Sequence, residues 1–146
     1  MKDKKKLLIL GPAHPFRGGI ADTQNYLAQN LRSLGHEVVV FTFTTQYPNL
    51  LFPGKTQLSN ESPPHGVNIK RKIHSFNPLN WRSVARSINH ENPAIVIFRY
   101  WTPFFAPCWY GIGLNLNKTI KKIGLVDNWI PHETRPWDKM LTRLFS

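Results

Sequence analysis

The chain has 146 residues, 41% of them hydrophobic and 18% charged, a balance that is typical of one globular domain and excludes a disordered segment. Nineteen Lys and Arg against eight Asp and Glu leave a net charge of +11, which favours nucleic acid, an anionic membrane surface or phosphorylated small molecules as partners. The alternative is a basic surface that only aids solubility. The single cysteine, Cys108, excludes an intrachain disulfide and a thiolate metal cluster, and its neighbours indicate a core residue.

The first part of the chain alternates strand and helix patterns. Residues 6–10 form a short apolar run that ends at Gly-Pro, which predicts a buried parallel strand. From Ile20 onward the apolar residues recur at helical spacing, and Gly35 supplies a left-handed stop. The β-branched and aromatic residues of 37–43 predict a second strand, so the segment is a βαβ unit.

The rest of the chain continues the alternation after a long loop. That loop, residues 44–64, is rich in Pro, Asn, Ser and Gly and is longer than a simple connection requires. The elements predicted after it are a strand at 67–69 before a basic run at 70–72, a helix at 78–89, a strand at 94–98, a helix at 103–117, a strand at 119–126 and a helix at 137–145.

Alternating strands and helices predict an α/β fold, a Rossmann-like, doubly wound and mainly parallel sheet. In such sheets ligands bind beyond the carboxyl ends of the strands. Four loops lie at that edge, at 11–19, 44–64, 99–103 and 127–134. We therefore expect the functional residues to come from these loops.

Several familiar sites are excluded by their spacing. The first strand–helix turn lacks G-x-G-x-x-G and the second strand ends without an acidic residue, which excludes a dinucleotide site. "PGKT" at 53–56 resembles the end of a phosphate-binding P-loop, but Asn49 stands where the first glycine belongs. The apolar stretch 94–114 contains Arg99 and two prolines, which argues against a spanning helix and leaves attachment to a membrane surface open.

The adjacent glycines Gly18 and Gly19 precede the first helix and admit two interpretations. Glycine permits a tight turn at positive φ. It also lets a ligand approach the unpaired N–H groups at a helix N-terminus, a natural seat for phosphate, and Arg17 adds a positive charge there. Local chemistry leaves both interpretations open.

Four segments in order resemble a known family. They are the "GG" followed by "IADTQNYLAQNLRSLGHEV", then "YPNLLFPGKTQ" at 47–57, "FRYWTPFF" at 98–105 and "DNWIPHETRPWDKMLTRLF" at 127–145. Together they look like the N-terminal domain of family 4 glycosyltransferases, which are retaining enzymes of the two-domain GT-B architecture, in a bacterial branch. The resemblance extends over the whole chain.

The resemblance implies a donor site at the glycine loop. Arg17, Gly18 and Gly19 would bind the diphosphate of a nucleotide-sugar, which is a substrate, so no cofactor and no metal are expected. Asp127 follows the last strand at a position where many relatives carry a histidine that contacts the donor sugar, which makes it the candidate catalytic residue. Its alternative role is to cap the following turn.

The acceptor-binding candidates lie in the neighbouring loops: His14, Tyr100, Trp101, His132 and Glu133. Tyr100 and Trp101 would stack on a sugar or lipid, or would only pack the loop. His132 and Glu133 would border the acceptor, or would form an exposed loop pair.

The resemblance predicts that residues 1–146 are the acceptor-side domain and that the donor-binding C-terminal domain is absent, so the chain alone should turn over little. The expected reaction moves a sugar to a lipid-linked or polysaccharide acceptor in the cytoplasm, and the basic, aromatic surface favours contact with an anionic membrane face. One alternative is a basic nucleic-acid-binding module, although no such motif is present and nucleic acid is not expected as a partner. The other is a subunit completed by a separate donor-binding chain.

Overall fold

The computed structural model describes residues 3–47, 58–128 and 135–146, which form a five-stranded sheet with helices on both faces. The strand order is β3-β2-β1-β4-β5, and every pairing between neighbours is parallel. The strands are β1 Lys6–Leu10, β2 Glu37–Thr45, β3 Asn68–His74, β4 Ile95–Tyr100 and β5 Lys121–Val126. The helices are α1 Gly19–Ser33, α2 Pro78–Glu91, α3 Ala106–Leu114 and α4 Asp138–Phe145, with a 3₁₀ turn at Pro103–Phe105.

The predicted fold class, a Rossmann-like parallel α/β sheet, is confirmed. The order reverses at β1, so β1 and β4 are the neighbouring strands between which such sheets leave a crevice for ligands. The loops after these two strands therefore lie side by side at the carboxyl edge.

Both faces of the central strands are buried, which explains why these strands are apolar throughout. Alternate residues of β1 belong to different cores: Leu8 and Leu10 face the side packed by α2 and α3, while Leu7 and Ile9 pack with Ala28 of α1. A strand covered on both sides cannot show a polar alternation. Cys108 is buried in the larger core, and burial raises the pKa of its thiol, as expected for a packing residue.

Three strands extend beyond the ends that their sequence patterns predict: β2, which continues to Thr45, β3 and β4. β3 includes the basic residues 70–72, because their charged ends find partners within the fold, such as Glu91 for Lys70. The Arg71 Nε–H donates to the Phe43 carbonyl at 3.0 Å, and the Lys72 ammonium lies 5.5 Å from the Phe41 ring centroid. β4 continues to Tyr100, so Arg99 lies in the strand and not in the loop after it.

β5 is an edge strand with exposed residues throughout. A groove of about 520 Å³ runs between this edge and helices α3 and α4, lined by apolar groups that include Leu114, Val126 and Phe145. Within the ranges that the structure describes, no helix combines the length and apolar character needed to cross a bilayer.

Candidate functional site

The two glycines at the start of α1 have different structural requirements. Gly18 caps the helix with φ 118° and ψ 165°, a backbone conformation that side chains other than glycine rarely adopt. Gly19 begins the helix and is not among the positive-φ glycines. A Cβ atom built at either position would meet no neighbouring atom within 4 Å, so both glycines face open space. The turn therefore explains Gly18, and it does not explain Gly19.

The N–H groups in the first turn of α1 are available to a ligand. The first backbone hydrogen bond of the helix runs from the Asp22 N–H to the Gly18 carbonyl at 2.9 Å. Across the described ranges, the N–H groups of Gly19 and Ile20 have no backbone acceptor. Arg17, Gly18 and Gly19 are all exposed. Unpaired donors, the positive end of a helix and an arginine together form an anion-binding surface.

A cavity of about 170 Å³ adjoins this surface. It is lined by the glycine loop and by residues that follow two other strands: Pro12, Arg17, Gly18, Gly19, Ile20, Ala21, Gln46, Tyr47 and Trp101. The Trp101 indole N–H donates to the Tyr47 hydroxyl at 3.3 Å, and the Trp101 ring lies 4.3 Å from that of Phe105. The structure thus brings Trp101 together with the three donor-site residues predicted from the sequence.

Gln46 and Tyr47 are cavity residues that the sequence pattern did not single out. They lie at the start of a long Pro- and Asn-rich loop, where no residue type stands out. Their signal was positional, because they directly follow β2 and so lie at the same sheet edge as the glycine loop. Gln46 is only 9% exposed, and its Oε1 has no hydrogen-bond partner within the described part of the chain.

Asp127 is held by an ion pair with Arg99, the last-but-one residue of β4. The Arg99 Nε–H donates to Asp127 Oδ2 at 2.6 Å, and Nη2 donates to Oδ1. The same Nη2 donates to Thr23 Oγ1 of α1 at 2.9 Å. The Arg99 side chain is 6% exposed and that of Asp127 is 29% exposed. This network joins the ends of β4 and β5 to the first turns of α1.

Arg99 is a further residue that sequence reasoning did not assign to the site. A charged residue within an apolar strand is the signal that could have found it, because a buried charge requires a partner. Asp127 is that partner, and it does not line the cavity beside the glycine loop. Its carboxylate is therefore engaged by a neighbouring strand through both oxygens.

The remaining predicted acceptor residues lie elsewhere or outside the described residues. The Tyr100 ring is buried and stacked on Phe145 at 4.3 Å, with its hydroxyl 3.0 Å from Thr142 Oγ1, which directs it toward α4. His14 Nε2 lies 2.8 Å from the Glu61 carbonyl oxygen. His132 and Glu133 fall outside the described residues. In the described ranges, no group of three His, Cys, Asp or Glu side chains is arranged to hold a metal.

Comparison with known proteins decides the family. Residues 17–133 match the model of Glycosyltransferase Family 4. The chain belongs to glycosyltransferase family 4. This confirms the family resemblance inferred from the glycine loop and the three later segments. No curated protein matches the family 4 chain closely enough to be compared with it.

Two similar solved structures share the fold of this family 4 chain. One is an alpha-glucosyltransferase in complex with UDP and a 13-mer DNA containing a central A:G mismatch, with a TM-score of 0.52 and 12% identity over 83% of this chain. The other is an alpha-glucosyltransferase in complex with UDP and a 13-mer DNA containing a HMU base, with a TM-score of 0.53 and 12% identity over 84% of this chain. The chain spans 30% of the length of each.

Proposed function

We propose that this chain is the acceptor-side, N-terminal domain of a retaining glycosyltransferase that takes a sugar from a nucleotide-sugar. The observation that carries the proposal is the set of open N–H groups at Gly19 and Ile20, beside an exposed Arg17. Family membership supports the reaction class. The donor-binding domain would come from a further part of the same protein or from a separate chain.

The glycine loop would act on the leaving group. As the bond between the sugar C1 and the diphosphate oxygen breaks, its electron pair stays on the diphosphate, where negative charge increases. Fixed N–H donors and a helix N-terminus stabilise charge that develops in the transition state without having to reorganise. The acceptor hydroxyl oxygen bonds to C1 on the same face, and its proton passes to the departing phosphate oxygen.

Asp127 would contribute charge near the sugar, with Arg99 as its positioning residue. The partly exposed carboxylate supports such a contact, since Arg99 fixes both of its oxygens from the buried side. A carboxylate held in this way would accept a hydrogen bond from a sugar hydroxyl, or would balance part of the positive charge at C1 as the bond breaks, since Arg99 already offsets some of its charge. No metal or cofactor is part of this proposal.

Trp101 is the acceptor-binding candidate that the cavity supports best. An indole beside an anion seat offers an apolar face to a sugar ring or a lipid. His14 and Tyr100 have partners within the fold, whereas His132 and Glu133 remain predictions. The proposal includes a lipid-linked or polysaccharide acceptor and a site of action at the anionic cytoplasmic face of a membrane. The net charge of +11 supports this part of the proposal.

A nucleic-acid partner is the competing proposal, and the same net charge favours it. The basic run on β3 gives it little support, because its members are engaged within the fold. Lys70 pairs with Glu91 at 2.8 Å, Arg71 bonds to a backbone carbonyl, and Lys72 lies over an aromatic ring. Binding of duplex DNA that falls steeply with salt, together with no binding of UDP or GDP, would favour this alternative.

A calorimetric titration tests the proposed donor site directly. We expect UDP or GDP to bind more tightly than the corresponding monophosphate, and the free nucleoside to bind weakest. Gly19→Ala should weaken diphosphate binding by roughly tenfold or more, because a methyl group would occupy part of the open space that a ligand needs to approach the N–H groups. The matched control is Gly113→Ala in α3, where a new Cβ makes only an ordinary 3.8 Å contact with Phe98.

Stability measurements separate loss of binding from loss of fold. Gly19→Ala should unfold at the same urea concentration as the original chain, while Gly18→Ala should be destabilised by about 1 to 2 kcal/mol because of its positive φ. If Gly19→Ala bound diphosphate as tightly as the original chain, the proposed donor site would be wrong.

A further inference from the structure

Helices α3 and α4 expose large apolar side chains on one side of the molecule. Leu114 of α3 and Met140 of α4 are 65% and 63% exposed, and the Tyr110 ring of α3 is also exposed. Trp137, at the N-cap of α4, is half-exposed and precedes Met140 by three residues, a spacing that places neighbours on one helix face. Single exposed apolar residues are ordinary in proteins, whereas a cluster of them indicates a surface that contacts a partner.

Two grooves join these residues into one surface. The groove of about 520 Å³ beside β5 is lined by Tyr110 and Leu114, and a second groove of about 670 Å³ is lined by Tyr110 and Met140. The two grooves also share Leu144 and Ser146, so they meet beside the end of α4. We call this area the α3–α4 surface. It consists of the four exposed apolar residues and of the basic residues that line the two grooves.

Every charged side chain that lines the two grooves is basic. These residues are Lys122, Lys139 and Arg143, and all three are exposed. Among the described residues none of them forms an ion pair, and no Asp or Glu side chain lines either groove. The α3–α4 surface therefore complements a partner that is anionic and also has an apolar part.

The two faces of α4 explain why only basic and apolar residues face outward. Leu141 and Phe145 pack against the larger core. Asp138, the one acidic residue of α4, is buried, and its carboxylate accepts a hydrogen bond from the Arg135 N–H at 2.6 Å. Because the acidic residue is turned inward, the outward face of α4 has the composition of a helix that lies at a membrane interface. The exposed residues within α4 are Lys139, Met140 and Arg143.

We propose that the α3–α4 surface contacts a lipid bilayer that contains anionic lipids. The phosphate groups of the lipids would meet the three basic side chains. The rings of Trp137 and Tyr110 would lie at the level of the headgroups, where aromatic side chains with a polar end are favoured. Leu114 and Met140 would enter the apolar boundary below the headgroups.

A bilayer fits this surface better than a nucleic acid or a second copy of the chain. A nucleic acid would meet the basic side chains but would leave Leu114 and Met140 without an apolar partner. A second copy that used the same surface would bring like charges together, because every charged side chain in the grooves is basic. An anionic bilayer satisfies the basic and the apolar groups at once.

This inference rests on the membrane contact within the proposed function and names the surface that makes it. Val126 lines the groove beside β5 and directly precedes Asp127, the candidate catalytic residue. A lipid-linked acceptor held in the bilayer would therefore reach the site along the edge of β5. The cavity beside the glycine loop shares no lining residue with either groove, so the donor site and the membrane contact can be tested separately.

Co-sedimentation with phospholipid vesicles tests the proposal. The vesicles contain phosphatidylcholine alone or phosphatidylcholine with about 30% of the anionic lipid phosphatidylglycerol. We expect the chain to bind the anionic vesicles roughly tenfold or more tighter than the neutral ones, and to bind them more weakly as the salt concentration rises. A chain that bound neither kind of vesicle would contradict the proposal.

Replacement of the apolar residues tests whether this surface enters the lipid. Trp137→Ser with Met140→Ser should weaken binding to the anionic vesicles by about tenfold, because less apolar area is buried. The matched control is Tyr26→Ser with Leu34→Ser, at comparably exposed positions of α1 and its C-cap, which should bind as the original chain does. All four side chains are half-exposed or more, so each variant should unfold at the same urea concentration as the original chain.

Replacement of the basic residues separates this surface from a general attraction by net charge. Lys139→Gln with Arg143→Gln should remove most of the preference for anionic vesicles. The matched control is Arg82→Gln with Arg86→Gln, exposed on α2, which lowers the net charge by the same amount. Equal losses in the two variants would show that only net charge attracts the chain, and the proposed surface would be wrong.

Two further measurements distinguish the other partners and the proposed function. A dimer that Trp137→Ser with Met140→Ser dissociates, or duplex DNA binding that Lys139→Gln with Arg143→Gln abolishes, would overturn the proposal in favour of a second copy or a nucleic acid. Titration of the chain with pyrophosphate tests the donor site alone. Pyrophosphate binding without vesicle binding would make the membrane contact wrong and leave the donor site in place, and the reverse result would do the opposite.

Discussion

At the scale of single residues, the glycine pair answers two different requirements. Gly18 is fixed by backbone conformation, since its φ of 118° is strained for any residue with a Cβ. Gly19 has neither that conformation nor a close neighbour, and what distinguishes it is an open N–H group. The turn interpretation therefore accounts for Gly18, while the ligand interpretation stays a prediction for Gly19.

The Arg99–Asp127 pair provides a prediction at the same scale. Arg99→Met should lower the free energy of unfolding by about 2 to 4 kcal/mol, because it leaves a partly buried carboxylate without its cation. Adding Asp127→Asn should restore part of the loss, since the unpaired charge is then removed. Urea denaturation of the single and double variants measures both effects. If the double variant lost the sum of the two single-variant losses in unfolding free energy, the two side chains would not act as a pair.

At the scale of elements, Glu91 joins the end of α2 to two strands. Its carboxylate accepts from Lys6 of β1 at 2.6 Å and from Lys70 of β3 at 2.8 Å. The hydrogen bond from Lys6, followed by that from Lys70, lowers the pKa of Glu91 from its ordinary 4.5 to about 2. Because the folded pKa is depressed, the stabilisation is complete above pH 4.5 and is lost as the pH falls toward 2.

This linkage gives a pH prediction. Between pH 5 and pH 2 the original chain should lose about 1 to 2 kcal/mol through Glu91, a figure reduced from the full pKa shift because the side chain is partly exposed. Glu91→Gln should be less stable at neutral pH and should show a flatter acid limb. Glu61→Gln, at an exposed position, is the matched control. An identical acid limb in Glu91→Gln and the original chain would contradict the assignment.

At the scale of the whole molecule, strand and helix patterns were enough to predict the sheet class. The central strands are apolar on both faces, and Gly35 and Pro78 mark where one helix ends and another begins. The sequence pattern predicted β3 too short because it treated the basic residues 70–72 as charged and so not part of a strand. The apolar stems of these side chains can pack within a strand all the same. Edge pairing with β2 determined its length instead.

The site could be predicted only where a residue type is unusual for its place. Paired glycines before a helix, and aromatic residues after a strand, can be recognised from the sequence alone. Gln46 and Tyr47 have no such mark, because only the packing of the loop after β2 places them beside the cavity. Tyr100 and Trp101 are adjacent in sequence, yet the alternation of a strand turns one toward α4 and leaves the other beside the glycine loop.

The most direct test of the account is an NMR titration of the chain with inorganic pyrophosphate. The central claim is that the N–H groups at the start of α1 bind a diphosphate. We predict that the backbone amide signals of Gly19 and Ile20 shift progressively and saturate, and that Gly35, at the other end of α1, does not respond. If both signals remained unchanged while pyrophosphate bound elsewhere, the central claim would be contradicted.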